Sequence, residues 1–398
     1  MNSATDFNNV RRDIDHMHKL NCALEAYQVF LQSDDVPLDS PVGKAICLGL
    51  ESIDPSLDLK EGTYLTLRML KEGTIKVAKA TREVIRLLFE VLGNLYVKFT
   101  GSLGRVRGHQ KNVGRRLGQL GSRVSYKQME ISGINRLSVN GTFVGDNPEY
   151  LEAIRSISDY LLNQHPATVV KVARVCSRRL IDLVEDDATS TQAEIAKDGM
   201  SIFVDALNAA MRPVAGETPV VQGELPIAFA SGRFVRSAVM PGNWSLVYSD
   251  IKDALHRVGV SDSNTYANTI KQAFKIDFVE LTMNTADRTP RTIDVPSIKT
   301  LSKLVDGISK ILDVAEKSES GRRDFATVKT VVDDAIRQVM NNHAEGGNAN
   351  TLVIQMLGSI SETLAAPMGN FTHWVAVTMN VYLNYIDHCI KHYEMEGV

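Results

Sequence analysis

VLGNLYVKFTGSLGRVRGHQKNVGRRLGQLGSRVSYKQM, at residues 91–129, is the stretch around which the chain is organised. It holds eight Lys or Arg residues and no Asp or Glu, in a chain of 398 residues with a formal net charge of −3. A block of one charge sign repels itself, so it needs counter-ions or an outside partner. Arg offers phosphate a planar fork of donors, and Gly lets backbone N–H groups come close to an anion. We therefore predict polyanion contact through Lys98, Arg105, Arg107, Lys111, Arg115, Arg116 and Arg123.

An amphipathic helix at 74–99 leads into this basic stretch, because apolar residues recur there at steps of three and four. Beyond it, six glycines lie between Gly101 and Gly121. Each glycine costs a helix about 1 kcal/mol relative to alanine. We therefore expect the basic stretch to form a mobile arm or helical fragments.

The remaining pattern predicts a multi-helical fold, mainly α with small antiparallel β elements (α+β), in two or three domains. Asn140-Gly141, between two short apolar runs, predicts a hairpin. Further helices are expected at 14–31, 42–53, 150–162, 167–183, 192–211, 264–274, 297–316 and 324–341, with two more in 351–394, split near Pro367. The predicted divisions are an acidic N-terminal helical region (1–73), the amphipathic helix and basic arm (74–129), a hairpin plus helical domain (130–211), an α+β region (212–296) and a C-terminal helical domain (297–398).

Composition excludes several classes of protein. Apolar residues make up 44% and charged residues 23% of the chain, which is typical of a globular protein rather than a disordered one. The four cysteines are scattered without a CxxC pair, which favours reduced thiols. No run of about 18 apolar residues occurs, so we expect no membrane span.

The sequence offers no convincing catalytic centre. The glycine-rich run at 101–108 lacks the Lys-Ser/Thr of a phosphate loop. His388 and His392 share a helix face at zinc-ligand spacing, but no further ligands accompany them. We therefore predict no metal, no cofactor and no enzymatic activity.

The first 125 residues resemble the internal head (prohead core) proteins of large tailed bacteriophages. The resemblance rests on a helix like HKLNCALEAYQVFL, a short helix ending in GLESID, and an amphipathic helix running into an acid-poor Arg/Lys-rich stretch. A weaker likeness surrounds RLSVNGTFVGDNPEYLEAI. The resemblance implies a virion structural protein that lies inside the head after assembly in the host cytoplasm. It also implies trimming by a head protease that cuts after Glu, with Glu25, Glu61 and Glu72 as candidate sites.

The first prediction is a non-enzymatic internal head protein that contacts packaged DNA, or the capsid or portal interior, and other virion head proteins. The contact would be independent of base sequence. It requires the cations not to be neutralised by the protein's own carboxylates. One alternative is a cytoplasmic helical adaptor that docks an acidic protein partner. Another is an enzyme with an anion site at 212–288, using Arg233, Arg236 and Arg288.

Overall fold

The computed structural model describes residues 3–31, 36–53, 64–121, 123, 128–131, 134–185, 198, 201–202, 218–220, 223–226, 232–250, 252–254, 256, 275–282, 291–342 and 348–396. Within these ranges the fold is mainly α with short antiparallel strands, which confirms the predicted class. The helices predicted at 192–211 and 264–274 lie wholly or almost wholly outside the described residues.

The helices lengthen or join several predicted segments. In chain order they are α1 (Ser3–Leu31), α2 (Pro41–Ile53), α3 (Leu67–Gln119), α4 (Glu149–Asp159), α5 (His165–Glu185), α6 (Ile298–Glu316), α7 (Glu319–Asn342) and α8 (Asn348–Glu396). A π-helical turn (Tyr160–Gln164) joins α4 to α5, and a 3-10 turn spans Ile134–Leu137. The serine before α2 caps that helix, since Ser40 Oγ accepts a hydrogen bond from Gly43 N at 3.0 Å.

Helix α3 runs unbroken through the glycine-rich basic stretch, so the expected mobile arm or set of fragments is wrong. Leu103, Val106, Val113 and Leu117 are buried along one side of this half of the helix. Burying one such side chain contributes about 1.5–3 kcal/mol, which outweighs a cost of about 1 kcal/mol per glycine. Packing therefore overrides the low helix propensity. The helix ends just before Gly121, whose φ of +64° suits glycine at a helix C-terminus.

Helix α8 likewise passes through Pro367, where the sequence predicted a break between two helices. Proline inside a helix costs about 3 kcal/mol through its missing N–H and its ring clash. Residues 353–369 are buried without interruption, so this segment is surrounded by protein and packing offsets the cost. Further along the same helix, Phe371, Trp374 and Tyr382 are buried in the core. The helix predicted at 324–341 begins earlier than expected, because α7 starts at Glu319.

The strands form four small antiparallel sheets. They are β1 (Val36–Pro37), β2 (Tyr64–Leu65), β3 (Gln128–Ile131), β4 (Ser138–Val139), β5 (Thr142–Phe143), β6 (Thr218–Pro219), β7 (Phe234–Arg236), β8 (Trp244–Ser249), β9 (Ile276–Glu280) and β10 (Arg291–Asp294). Pairs β1–β2, β3–β10 and β4–β5 accompany a sheet of order β6-β7-β8-β9. The β4–β5 hairpin turns at Asn140 (φ 52°) and Gly141 (φ 76°), as predicted.

The larger sheet packs on α8 through aromatic rings. The Phe278 ring centroid lies 5.2 Å from that of Trp244 and 5.0 Å from that of Trp374. Trp374 Nε1 donates a hydrogen bond to the carbonyl of Pro241 at 3.2 Å. These contacts fix the sheet against the middle of α8.

Four helices meet in a ring of contacts in which α3 packs on α7, α7 on α5, α5 on α8 and α8 on α3. In this order α3 and α5 occupy diagonal corners, as in a four-helix bundle. Helix α7 runs back along α3, because Phe325 lies beside Tyr96, and Asp333, eight residues further on, binds Arg82. Helix α6 packs on the later, basic half of α3.

Helix α1 is held to this body by a mostly buried ion triad. Arg11 Nη1 lies 2.9 Å from Asp277 Oδ2 of β9, and Arg11 Nε lies 3.4 Å from Glu362 Oε1 of α8. One guanidinium thus joins the N-terminal helix to the sheet and to the last helix.

Candidate anion-binding face on helix α3

Helices α3 and α8 run side by side in the same direction with a constant offset. His109 Nδ1 lies 3.3 Å from Asn380 Oδ1, Arg116 binds Asp387, and Arg123 Nη1 donates to the carbonyl of Tyr393 at 3.3 Å. The partners are 271, 271 and 270 positions apart in sequence. Contacts repeating every seven residues are typical of helices packed at a small crossing angle.

Two of the predicted cations are neutralised by the protein's own carboxylates. Arg107 binds Asp313 at 2.5 Å and Glu316 at 2.9 Å on α6. Arg116 binds both Asp387 and Glu394 on α8, the latter at 2.8 Å. These two arginines therefore join helices. Because carboxylates of the protein already neutralise them, their charge no longer supports the prediction that they contact a polyanion.

Four other predicted cations, Lys98, Arg105, Lys111 and Arg115, are exposed along the same helix. None of them forms an ion pair with a residue in the described ranges, although Arg115 donates to the side-chain oxygen of Asn112 at 3.0 Å. Arg123 is also exposed, and only its contact with the Tyr393 carbonyl is seen. Lys127, the last cation of the stretch, lies outside the described residues.

A groove of about 700 Å³ opens between α3 and α8. It lies just before the part of their line of contact, the seam, where Arg116 binds Asp387 and Glu394. Lys98 and Arg105 of α3 and Arg136 of the 3-10 turn line it, and His373 and Asn380 stand on α8. Apolar side chains complete its lining. No Asp or Glu occurs among the described residues that line it, so the groove has three cations without a facing carboxylate. Such a concave, one-sign site suits an anion.

Arg136 is the groove residue that the sequence analysis missed. It lies next to the predicted hairpin, more than thirty positions along the chain from Lys98, and only the fold brings the two together. Arg136 also lines a neighbouring cavity of about 400 Å³ with Trp244 and Glu280. No local pattern around Arg136 marks it as part of a basic site.

The arginines of the alternative anion site are only partly described. Arg236 lies 3.6 Å from Glu224, Arg233 is exposed, and Arg288 lies outside the described residues. Within the described part of the chain, no group of three His, Cys, Asp or Glu side chains is placed to hold a metal ion. Among the helices that the structure describes, none combines the length and apolar character needed to cross a membrane.

The three candidate cleavage residues have different surroundings. Glu25 lies within α1, Glu72 lies in the first turns of α3 and pairs with Arg68 at 2.9 Å, and Glu61 lies outside the described residues. Cleavage after these residues stays a prediction.

Comparison with known proteins gives one assignment. No curated protein and no solved structure matches the chain. A family model does match it over residues 8–388, nearly its whole length, and it confirms the resemblance seen in the first third. The chain belongs to the phiKZ-like phage internal head proteins, and its place is inside the virion head.

Proposed function

We propose that this internal head protein is non-enzymatic and contacts packaged DNA through the exposed cations of α3, independently of base sequence. The observation that carries the proposal is the row Lys98, Arg105, Lys111 and Arg115, exposed and without ion pairs to described residues. Arg107 and Arg116, which salt bridges hold, are left out of the proposed contact. Arg123 stays at the margin of this surface, beside the end of α8.

The dimensions of the row suit a phosphate backbone. From Lys98 to Arg115 the helix rises about 26 Å, at 1.5 Å per residue. B-DNA places one phosphate per strand every 3.4 Å or so along its axis, so several phosphates lie within reach of the four side chains. Arg136 adds a fifth cation at the groove. Contact of this kind neutralises charge and does not read bases.

The two halves of α3 differ in how their cations are neutralised, and this difference supports a binding role for the exposed row. The first half of α3 pairs its arginines with carboxylates, as in Arg82 with Asp333 at 2.7 Å and Arg86 with Glu83 at 2.9 Å. The second half has no Asp or Glu of its own from position 91 onward. The cations of this second half therefore have no carboxylate on their own helix segment to neutralise them.

A salt titration of DNA binding tests the proposal. The variant K98Q/R105Q/K111Q/R115Q is compared with wild type by fluorescence anisotropy on a 30-base-pair duplex of arbitrary sequence. Each lost phosphate contact lowers the slope of log K against log salt by about 0.9, so we expect a decrease of about 3–4. The matched control K299Q/K303Q/K310Q/K317Q removes four exposed lysines at α6 and should leave the slope almost unchanged.

Equal slopes for the wild type and the α3 variant would contradict the proposal. If the α3 variant loses binding to polyglutamate while its DNA binding is unchanged, the acidic-protein alternative is correct instead. Circular dichroism melts of each variant confirm that the helical fold is retained. Association with other head proteins follows from the family and is tested by co-purification from particles.

A further inference from the structure

Helix α5 carries a second group of exposed cations, which are not among the predicted binding residues. Lys171, Arg174, Arg178 and Arg179 are all exposed, at spacings that place them on one side of the helix. No Asp or Glu occurs between His165 and Ile181. None of the four cations forms an ion pair with a residue in the described ranges.

Other exposed arginines of this fold are treated differently. Arg155 pairs with Glu152, Arg322 with Glu319 and Arg337 with Asp333, each three or four positions away on the same helix. Such pairs neutralise a solvated helix surface. Helix α5 offers no carboxylate at these spacings to Lys171 or Arg174, and one, Asp182, lies four positions after Arg178 and three after Arg179 without an ion pair to either. The four cations outnumber this one carboxylate, so positive charges repel one another along this side of the helix.

The surface on α5 is separate from the one on α3. The two helices lie at diagonal corners, with α7 and α8 packed against both. Outward faces of diagonal helices in such a bundle point away from each other. The α5 helix begins beside Gly321, at the level of Tyr96 on α3, and packs along α7, which leads toward Arg82. The α5 cations are therefore also displaced along the bundle from the α3 cations.

We propose that the α5 face, made of Lys171, Arg174, Arg178 and Arg179, binds a second segment of DNA, so that one molecule bridges two duplexes. The inference rests on the proposed DNA contact at α3. Among the described residues of α5, Val175 is the one large apolar side chain that is well exposed, at 47%. The face therefore presents charge rather than an apolar patch, which favours a polyanion over a folded protein partner.

A two-duplex capture assay tests bridging apart from simple binding. A biotinylated duplex on beads is mixed with protein and a fluorescent duplex, and the captured fluorescence is measured at low salt. Wild type should capture the second duplex. The variant K171Q/R174Q/R178Q/R179Q should lose about tenfold or more of the capture, while its affinity for a single duplex falls by only a few-fold.

Two further variants complete the test. The charge-conserving R174K/R178K/R179K should capture as wild type does, which separates loss of charge from misfolding of α5. The α6 control K299Q/K303Q/K310Q/K317Q should also capture normally. If the α5 glutamine variant captures as much as wild type, bridging through α5 is wrong while the α3 contact stands. If the α3 glutamine variant retains single-duplex affinity and the α5 variant loses it, the proposed contact at α3 is wrong and the bridging inference is overturned with it.

Discussion

Arg116 of α3 and Asp387 of α8 form an ion pair across the seam between these helices. Seven residues earlier on each helix, His109 and Asn380 make the equivalent contact. One end of the seam is therefore closed by opposite charges. The other end opens into the groove lined by Lys98 and Arg105, where no described carboxylate faces them. The same basic stretch thus contains two kinds of cation: arginines that join helices through salt bridges, and exposed cations without an ion pair to a described residue.

Arg116→Gln should destabilise the protein by about 1–3 kcal/mol, because the partly buried Asp387 would keep only Lys391 as an ion-pair partner among the described residues and Glu394 would lose its link to α3. Both side chains of the principal pair are only about one-fifth exposed, at 23% and 21%. The neighbouring Arg115→Gln is the matched control, since it is exposed and should change stability by less than about 0.5 kcal/mol. Urea unfolding of both variants measures the difference. Equal stabilities would show that the seam does not depend on this pair.

Arg11→Met should cost about 3–5 kcal/mol, because it removes the cation from two buried carboxylates. The exposed neighbour in Arg12→Met should cost less than about 0.5 kcal/mol. Thermal unfolding of the two variants gives the comparison. A loss of under about 1 kcal/mol for the first would show that the triad does not hold α1 in place.

The same triad predicts a pH effect on stability through Asp277. Burial raises the pKa of Asp277 above its ordinary value, against the opposing charge of Arg11. A raised pKa in the folded state favours folding below the unfolded pKa of about 3.9, and that contribution is lost as pH rises through the folded value. Asp277→Asn should therefore be far less costly at pH 7 than Arg11→Met. If Asp277→Asn lowers the free energy of unfolding as much as Arg11→Met does, the pKa of Asp277 is not raised in the folded protein.

His165 predicts the opposite trend at mildly acidic pH. Its ring is buried, and Nε2 donates to the carbonyl of Leu364 at 2.7 Å. Burial lowers the pKa of His165, although this hydrogen bond acts in the other direction. A lowered pKa means that stability is present above the unfolded pKa of about 6.5 and falls as pH drops below it.

Melting temperatures at pH 7.5 and 5.5 test the role of His165. His165→Gln should show a smaller loss between these values than wild type, because the amide does not take up a proton. His388→Gln, at an exposed position, serves as the control and should keep the wild-type loss. An unchanged loss in the His165 variant would assign the effect to another group.

Substitution of glycine in α3 should stabilise the protein where the helix faces open space. A Cβ at Gly104 or Gly108 would meet no described atom within 4 Å, so alanine there should add about 0.5–1 kcal/mol each. A Cβ at Gly321 would lie 2.6 Å from the Leu162 carbonyl oxygen, so the same change there should destabilise. Thermal melts of the single variants decide whether α3 is a true helix at these positions.

Local signals predicted local structure well. The Asn140-Gly141 hairpin follows from two residues that lie next to each other in sequence and both tolerate a positive φ. The continuity of α3 and of α8 through glycines and Pro367 could not be predicted, because burial by distant helices decides it.

The sequence also could not show which cations of the basic stretch form salt bridges and which stay exposed. The carboxylates that neutralise Arg107 and Arg116 lie 206 to 278 positions away, so no window of sequence contains both partners. The positive character of the stretch could be predicted from its composition. Which cations remain exposed depends on the fold, and so does the placement of Arg136.

Ultraviolet crosslinking of DNA to protein in intact, packaged particles, followed by mass spectrometry of the peptides, shows whether α3 touches the genome inside the head. We predict crosslinks from this protein at residues 98–115, with the exposed side chains Lys98, Arg105, Lys111 and Arg115 involved. If other internal proteins crosslink to DNA and this segment does not, α3 is not a DNA-binding surface.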